Sequence, residues 1–295
     1  MGMMKRIAAL MTLALVSACS GGGAQVAPTG LSGAPDASSG NRTAMRAAAP
    51  TLSGRIAYVG SKGLRIYNVA SGADASLGVS GGVNPKFSPN GALITYQNNG
   101  IYVMHSDGTN ITRLNATGNL PSFDPTSTKI VYADNGIWTI SVNGGTPTKL
   151  TNDGGGGIHP AWSPDGTQIA YHAPLGGAAH LFVIPANGGT RQEVCPNTNG
   201  SAILDMVWLP GSKLLFAMIS SGKHSNYELY SCDPTPGSLT QLTTTAVSNF
   251  EPSWSPDASH ISWTSDLKGI FIMKADGTGQ QGPVIAGGRQ GSWGP

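Results

Sequence analysis

One eight-residue pattern returns along most of this chain. HPAWSPDG at 159–166 has close variants in NPKFSPNG (84–91), LPSFDPTS (120–127) and EPSWSPDA (251–258). DMVWLPGS (205–212) is a weaker copy, and QGSWGP (290–295) is a copy that stops with the chain. The aromatics Phe87, Phe123, Trp162, Trp208, Trp254 and Trp293 are spaced 36, 39, 46, 46 and 39 residues apart. A period of that size, built from short strands, is the mark of propeller blades.

Within each copy, Ser163-Pro164-Asp165-Gly166 predicts a type I turn, with proline presetting its first central residue and glycine closing it. A short strand ending on the aromatic precedes the turn, and an alternating strand such as 168–172 follows it. The pattern is therefore a hairpin. Second strands are expected at 55–59, 92–97, 129–134, 168–172, 213–218 and 260–265, six in number like the aromatic strands. Third strands are expected at 64–69, 101–105, 137–142, 180–186, 228–232 and 269–274, and polar fourth strands at 112–115, 148–151, 191–195 and 241–243. The first strand, 55–59, has no partner before it, and the last, 290–293, has none after it. The expected fold is thus all-β: a six-bladed β-propeller of four-stranded antiparallel blades, with the ring closed by the C-terminal strand pairing in the first blade.

The 42 glycines, 20 prolines and 11% charged residues agree with a turn-rich all-β chain. The net charge of +2 falls to zero once Lys5 and Arg6 are set aside, leaving 15 basic against 15 acidic residues. With no basic stripe interleaved with aromatics, no nucleic-acid partner is expected. Those two residues open a leader over 1–18: a basic start, an apolar run at 7–16 too short to span a bilayer, then small residues. Its end, Val16-Ser17-Ala18-Cys19, resembles the lipobox of bacterial lipoproteins. That resemblance implies cleavage before Cys19, lipidation there, and attachment to a membrane. Ser20 rather than Asp follows, which implies the periplasmic face of the outer membrane in a two-membraned host. An ordinary secreted protein with an incidental cysteine is the alternative. Residues 19–50 hold almost no large apolar side chains and are expected to form a flexible tether reaching about 30 Å. Residues 51–295 are the propeller.

The sequence P-x-[WF]-S-P-[DN]-G, followed by I-x-Y and then I-Y-x-M-x-x-D-G-T, resembles the TolB-type (WD40-like, PD40) β-propeller repeat. Residues 160–171 and 101–109 carry it most closely, and 252–263 and 270–278 follow. The resemblance covers roughly 51–295 and does not extend to the separate amino-terminal domain of TolB proteins. What it implies is the propeller alone. Similar repeats also occur in peptidase propellers and polysaccharide lyases, so the resemblance does not fix an activity.

The residue three before each motif aromatic starts an inner strand and is expected at the channel mouth: Asn84, Leu120, His159, Asp205, Glu251 and Gln290. Three readings follow: a solvated rim, a binding site for a peptide or small ligand (Asn84, His159, Asp205, Glu251, Gln290), or a divalent-cation site made by His159, Asp205 and Glu251. The mouth face is also expected to carry the longer loops, at 172–180 and 220–226. Asp165, Asn90 and Asp257 are expected to serve their turns, and the tryptophans to pack blades. His105, His172 and His260 form no constellation in sequence, and His180 and His224 fall in or near the long loops. There is no G-x-S-x-G, H-E-x-x-H or phosphate-cradling glycine loop.

The leading expectation is a monomeric, envelope-anchored, non-catalytic protein- or peptide-binding scaffold without a cofactor. The alternative is a metal-assisted propeller enzyme of lyase or lactonase type. Cys195 and Cys232 end strands on what should be opposite faces, so two free thiols are expected.

Overall fold

The computed structural model describes residues 52–295 apart from 152–156, 197–201, 210, 220–225, 235–238 and 267. The expected leader, Cys19 and most of the tether lie outside the described residues, as do His224 and most of the 220–226 loop. Among the described residues no helix is long and apolar enough to cross a membrane.

The chain opens with β1 (Arg55–Gly60), β2 (Gly63–Asn68) and β3 (Asp74–Ser76). The second blade follows as β4 (Val83–Phe87), β5 (Leu93–Gln97), β6 (Ile101–His105) and β7 (Thr112–Asn115). The third is β8 (Asn119–Phe123), β9 (Lys129–Ala133), β10 (Ile137–Ser141) and β11 (Thr148–Lys149). The fourth is β12 (Ile158–Trp162), β13 (Gln168–Leu175), β14 (Ala178–Pro185) and β15 (Gln192–Val194). The fifth is β16 (Ile203–Trp208), β17 (Leu214–Ile219), β18 (Tyr227–Cys232) and β19 (Leu239–Gln241). The sixth is β20 (Asn249–Trp254), β21 (His260–Ser265), β22 (Gly269–Lys274) and β23 (Gln281–Ala286), and β24 (Arg289–Gly294) ends the chain. Each blade is a four-stranded antiparallel sheet, and β24 supplies the inner strand of the first one, in the order β24-β1-β2-β3. Ile56 pairs with Trp293 and Arg55 with Gly294, so the ring closes as the sequence predicts.

The repeated turn works through its first and third residues. The Ser163 hydroxyl donates to Asp165 (2.6 Å) and accepts the Gln168 amide (2.9 Å), while Asp165 accepts the Thr167 amide (3.0 Å). The Gly166 amide closes the turn on the Ser163 carbonyl. Ser88 with Asn90 and Ser255 with Asp257 repeat the arrangement. These hydrogen bonds hold the Asp165 and Asp257 carboxyls below the usual range, Ser163 and Ser255 acting first.

Packing between blades rests on two aromatics per repeat. Opposite each motif aromatic stands an apolar residue of the second strand, and two residues on comes a second aromatic: Tyr58, Tyr96, Tyr132, Tyr171, Phe216 or Trp263, all buried. Hydrogen bonds stitch neighbouring blades: the Trp208 indole reaches the Ala161 carbonyl, and the amides of Phe87 and Trp293 reach the hydroxyls of Ser292 and Ser253. At the closure, the Trp293 indole donates to the Ser53 carbonyl (2.9 Å). Arg55 grips the Pro295 and Gly91 carbonyls and lies over the Phe87 ring. Gly294 must be glycine here, since a Cβ would fall 2.4 Å from the Phe87 ring.

Two expectations need correction. The segment 172–180 is a continuous hairpin, because β13 and β14 run on to pair Leu175 with Ala178. Gly176 and Gly177, both at positive φ, make the two-residue turn such a hairpin requires. The thiols are not free either: Cys195 and Cys232 form a disulfide with Cα atoms 6.1 Å apart. Assigning their strand ends to opposite faces assumed that all four strands run along the bore. Sheet twist rotates each strand by roughly 20–25° from the last, so the outer strand lies well off the axis. β15 stops where Val194 meets Leu181, partway along β14. Cys195 then turns out of the ladder at φ 52 into the cluster between the fourth and fifth blades, beside Trp208, Tyr230 and Cys232.

Two measurements check these points. Trp293→Ala is expected to destabilise the domain by roughly 3–5 kcal/mol in urea unfolding, whereas Ile111→Ala, at a side chain 49% exposed, should stay within about 0.5 kcal/mol of the parent. In a Cys19→Ser chain, unfolded without reductant, a thiol assay should find no free thiol, and two after reduction. The bridge spans a sequence separation of 37, and its reduction should lower stability by roughly 4 kcal/mol if the chain-entropy account holds.

Candidate functional site

The first strand of every blade carries the same irregularity. Its register against the second strand slips at the residue three before the motif aromatic. Asn84, Leu120, His159, Asp205, Glu251 and Gln290, the six rim residues chosen from sequence, all sit there in the left-handed region, at φ 44 to 57. These are β-bulges, and a bulge leaves its backbone amide without a ladder partner.

The polar side chains answer that need around the ring. The Gln290 amide donates to the Glu251 carboxylate (2.6 Å) and the Asn84 amide to Gln290 Oε1 (3.0 Å). The Glu251 amide hydrogen-bonds to the Asp205 carboxylate. The Leu120 amide approaches Gln97 Oε1 at 3.4 Å, which also accepts from the Asn84 side chain (3.1 Å). The structure therefore brings all six rim positions to one mouth, and its polar side chains each engage a neighbour.

On one side of the mouth the belt becomes a chain of titratable groups. His159 Nε2 lies 3.1 Å from Asp205 Oδ1, and its Nδ1 lies 2.9 Å from His172 Nε2, with the two imidazoles stacked. The protonation that satisfies both contacts has His172 Nε2–H donating to His159 and His159 Nε2–H donating to Asp205. Burial, followed by the neighbouring His159, pushes His172 down to about 3, with Asp205 opposing. Burial acts to raise the Asp205 carboxyl, but the His159 hydrogen bond and charge, Lys86 and the Glu251 amide together hold it below its ordinary value. Burial first and then the Asp205 charge raise Glu251.

Three contributors were missed in the sequence: His172, Gln97 and Lys86. His172 and Gln97 occupy the same place in their blades, opposite the residue that precedes the bulge. Thr264 is their counterpart in the sixth blade and also receives the Gln290 amide (3.1 Å). The available signal was a polar residue one or two positions beyond the alternating apolar stretch of the second strand. Lys86 stands directly before Phe87, where the other blades carry Ser122, Ala161, Val207, Ser253 and Ser292. It lines both the mouth chamber and the cavity on the opposite face, so it sits at the waist of the bore.

The mouth chamber is small, about 40 Å³, and is walled by His159, Asp205, Glu251, Gln290 and Lys86 among others. A larger groove of about 610 Å³ adjoins it at the seam between the sixth and first blades and shares Glu251 and Gln290 with it. The groove is lined by Ser265, Asp266 and Arg289 and by the glycines Gly60, Gly269, Gly287 and Gly288. Among the described residues no group of three His, Cys, Asp or Glu side chains is placed to hold a metal ion. His159 and Asp205 face each other rather than a shared centre.

No protein-family profile matches the chain. Among solved structures, TolB from Acinetobacter baumannii superposes with a TM-score of 0.68 at 21% identity, over 83% of this chain and 67% of that one. A TolB structure from Agrobacterium tumefaciens gives 0.62 at 16% identity, over 81% and 90%. An oligogalacturonate lyase in complex with manganese gives 0.52 at 15% identity, over 74% and 69%. The fold is that of the TolB-type six-bladed propeller. At these identities the likeness shows fold alone.

The depressed His172 gives a prediction with a definite sign. Unfolded, a histidine titrates near 6.5, whereas folded His172 does so only near 3. Between those values the unfolded chain holds the extra proton. Stability is therefore intact from this group above about pH 6.5 and falls as pH drops, by at most roughly 1.4 kcal/mol per pH unit. Glu251, raised in the folded state, works in the opposite direction as pH falls towards its folded value. Urea unfolding at pH 7 and pH 5 should show a larger loss for the parent than for His172→Gln. Equal losses would mean that His172 is not held neutral.

Proposed function

We propose that this chain is an envelope-anchored, non-catalytic propeller that receives a protein or peptide partner on its mouth face. One observation carries the reading: the 610 Å³ seam groove adjoins the central chamber, and the two share Glu251 and Gln290 in their walls. A volume of that size is that of a small-ligand cleft and admits a few residues of a partner's extended segment. Glycines along its wall permit close backbone approach. Asn84, His159, Asp205, Glu251 and Gln290 form the inner wall of this site, and the exposed Asp266 and Arg289 offer charges of both signs along the groove. The lipobox around Cys19 and the tether that follows support attachment to the outer membrane on its periplasmic side. The TolB-type fold supports a scaffold role in the envelope.

The second reading is a metal-assisted enzyme of lyase or lactonase type. It draws on the manganese-bound lyase neighbour and on His159, His172 and Asp205 lying in contact. Those three engage one another, so an ion would have to break the His159 contacts first. Under the leading reading, Mn²⁺ added to the chelator-treated protein leaves its melting temperature unchanged.

Capture from a solubilised host envelope tests the proposal. The immobilised protein should retain a discrete partner that an Asp266→Lys, Arg289→Glu variant loses, both changes lying at exposed groove positions. Identical lists for the parent and the variant would remove the groove from the binding site.

A further inference from the structure

The side chain that least fits the scaffold is Lys86. Five blades place a serine, alanine or valine at this position, and the serines of two of them, Ser253 and Ser292, accept the amide of the next blade's aromatic. Lys86 instead extends a long basic side chain into the bore. Among the described residues its amine makes no hydrogen bond, and no carboxylate lies within ion-pair distance. It remains half-buried, with its surface turned to the channel. The neighbouring mouth chamber has room for roughly three water-sized groups. Glu251 and Asp205, from the sixth and fifth blades, stand in the wall of the same chamber.

We propose that Lys86 is a carbonyl-capture site: its amine condenses with small neutral aldehydes of two or three carbons that enter through the mouth, with Glu251 carrying the protons. The nitrogen lone pair forms a C–N bond to the carbonyl carbon, and the carbonyl oxygen takes a proton from the Glu251 carboxyl. The nitrogen returns one proton to Glu251 through a water in the chamber, since the two groups are not in direct contact. The C–O bond then breaks as the hydroxyl takes that proton and leaves as water, and the nitrogen's second proton is released as the imine settles. One amine and one aldehyde give one imine and one water, so no oxidant or reductant is involved.

Burial equips both partners for these roles. It lowers the Lys86 amine, despite the opposing pull of Asp205 and Glu251, so that more of it is unprotonated and nucleophilic near neutral pH. It raises Glu251, which favours the protonated form a general acid needs. Chamber size sets the class of carbonyl that can enter through the mouth: about 40 Å³ holds a two- or three-carbon aldehyde. The two carboxylates of the wall disfavour keto acids. This site does not depend on the partner-binding reading: its residues are in place whether or not a peptide occupies the groove.

Reductive trapping tests it. The full chain is treated with glycolaldehyde and cyanoborohydride at pH 7, and adducts are mapped by peptide mass spectrometry. Lys86 should be labelled severalfold faster than exposed lysines, as expected for an amine whose protonated form burial disfavours. Glu251→Gln should slow labelling of Lys86 without changing that of exposed lysines. Lys86→Ser introduces the residue other blades use, and so should fold with an unchanged melting temperature and lose the fast adduct. Labelling of Lys86 no faster than exposed lysines in folded protein would overturn the proposal. So would equally fast labelling by pyridoxal phosphate, which is too large for the mouth chamber and would have to reach Lys86 from the cavity on the opposite face.

Discussion

Six backbone amides at the centre of this ring are turned out of their ladders, and each needs an acceptor. The need arises because the inner strand of every blade bulges at the same place, with a non-glycine residue in the left-handed region. Such a conformation costs roughly 1–2 kcal/mol per residue, so the surrounding structure must hold it in place. It does so by directing the side chain of one blade to the amide of the next: Gln290 to Asn84, Glu251 to Gln290, Asp205 to Glu251. The bulge supplies the unpaired donor and the adjacent blade supplies the acceptor. Much of the polarity at the mouth therefore follows from the geometry of the ring.

This belt and the outer contacts solve different parts of one problem. A propeller has no single core. Its packing is divided into interfaces between neighbouring blades, each with its own apolar cluster. Nothing in those clusters spans the whole ring, so closure depends on local devices at the seam. The pairing of β24 with β1, the Arg55 grip on Pro295 and Gly91, and the Trp293 indole on Ser53 all act there. The disulfide adds a covalent tie on the far side of the ring, between the fourth and fifth blades, where several loops fall outside the described residues.

Blade number, strand order, turn chemistry and ring closure were legible because each depends on local pattern repeated six times. SPDG specifies its own turn, and a strand at 55–59 without a predecessor requires one from the other end. The bulges were not legible. Asn84, Leu120, His159 and Glu251 each precede proline, and that context favours extended backbone over the left-handed region. Only the neighbouring blade makes the conformation worthwhile, and no single repeat contains that information. The disulfide escaped for a related reason: strand alternation is a one-dimensional rule, whereas the position of Cys195 depends on accumulated twist. His172 forms no constellation in the sequence, since it stands 13 residues from His159; a hairpin places the two side by side.

Internal repetition also separates what the scaffold requires from what it does not. At the rim, polar residues recur because bulge amides recur, so polarity there is weak evidence for a ligand. One step deeper, scaffold chemistry calls for something small: a serine that accepts an amide, or an alanine or valine that fills space. A lysine at that level satisfies neither demand. It takes a long charged chain into a narrow bore, loses hydration, and gains no direct ion pair within the described residues. A substitution that opposes the local pattern without helping the fold is where chemistry is to be sought. At this mouth that criterion selects Lys86 over His159 and Asp205, whose contacts the ring already uses.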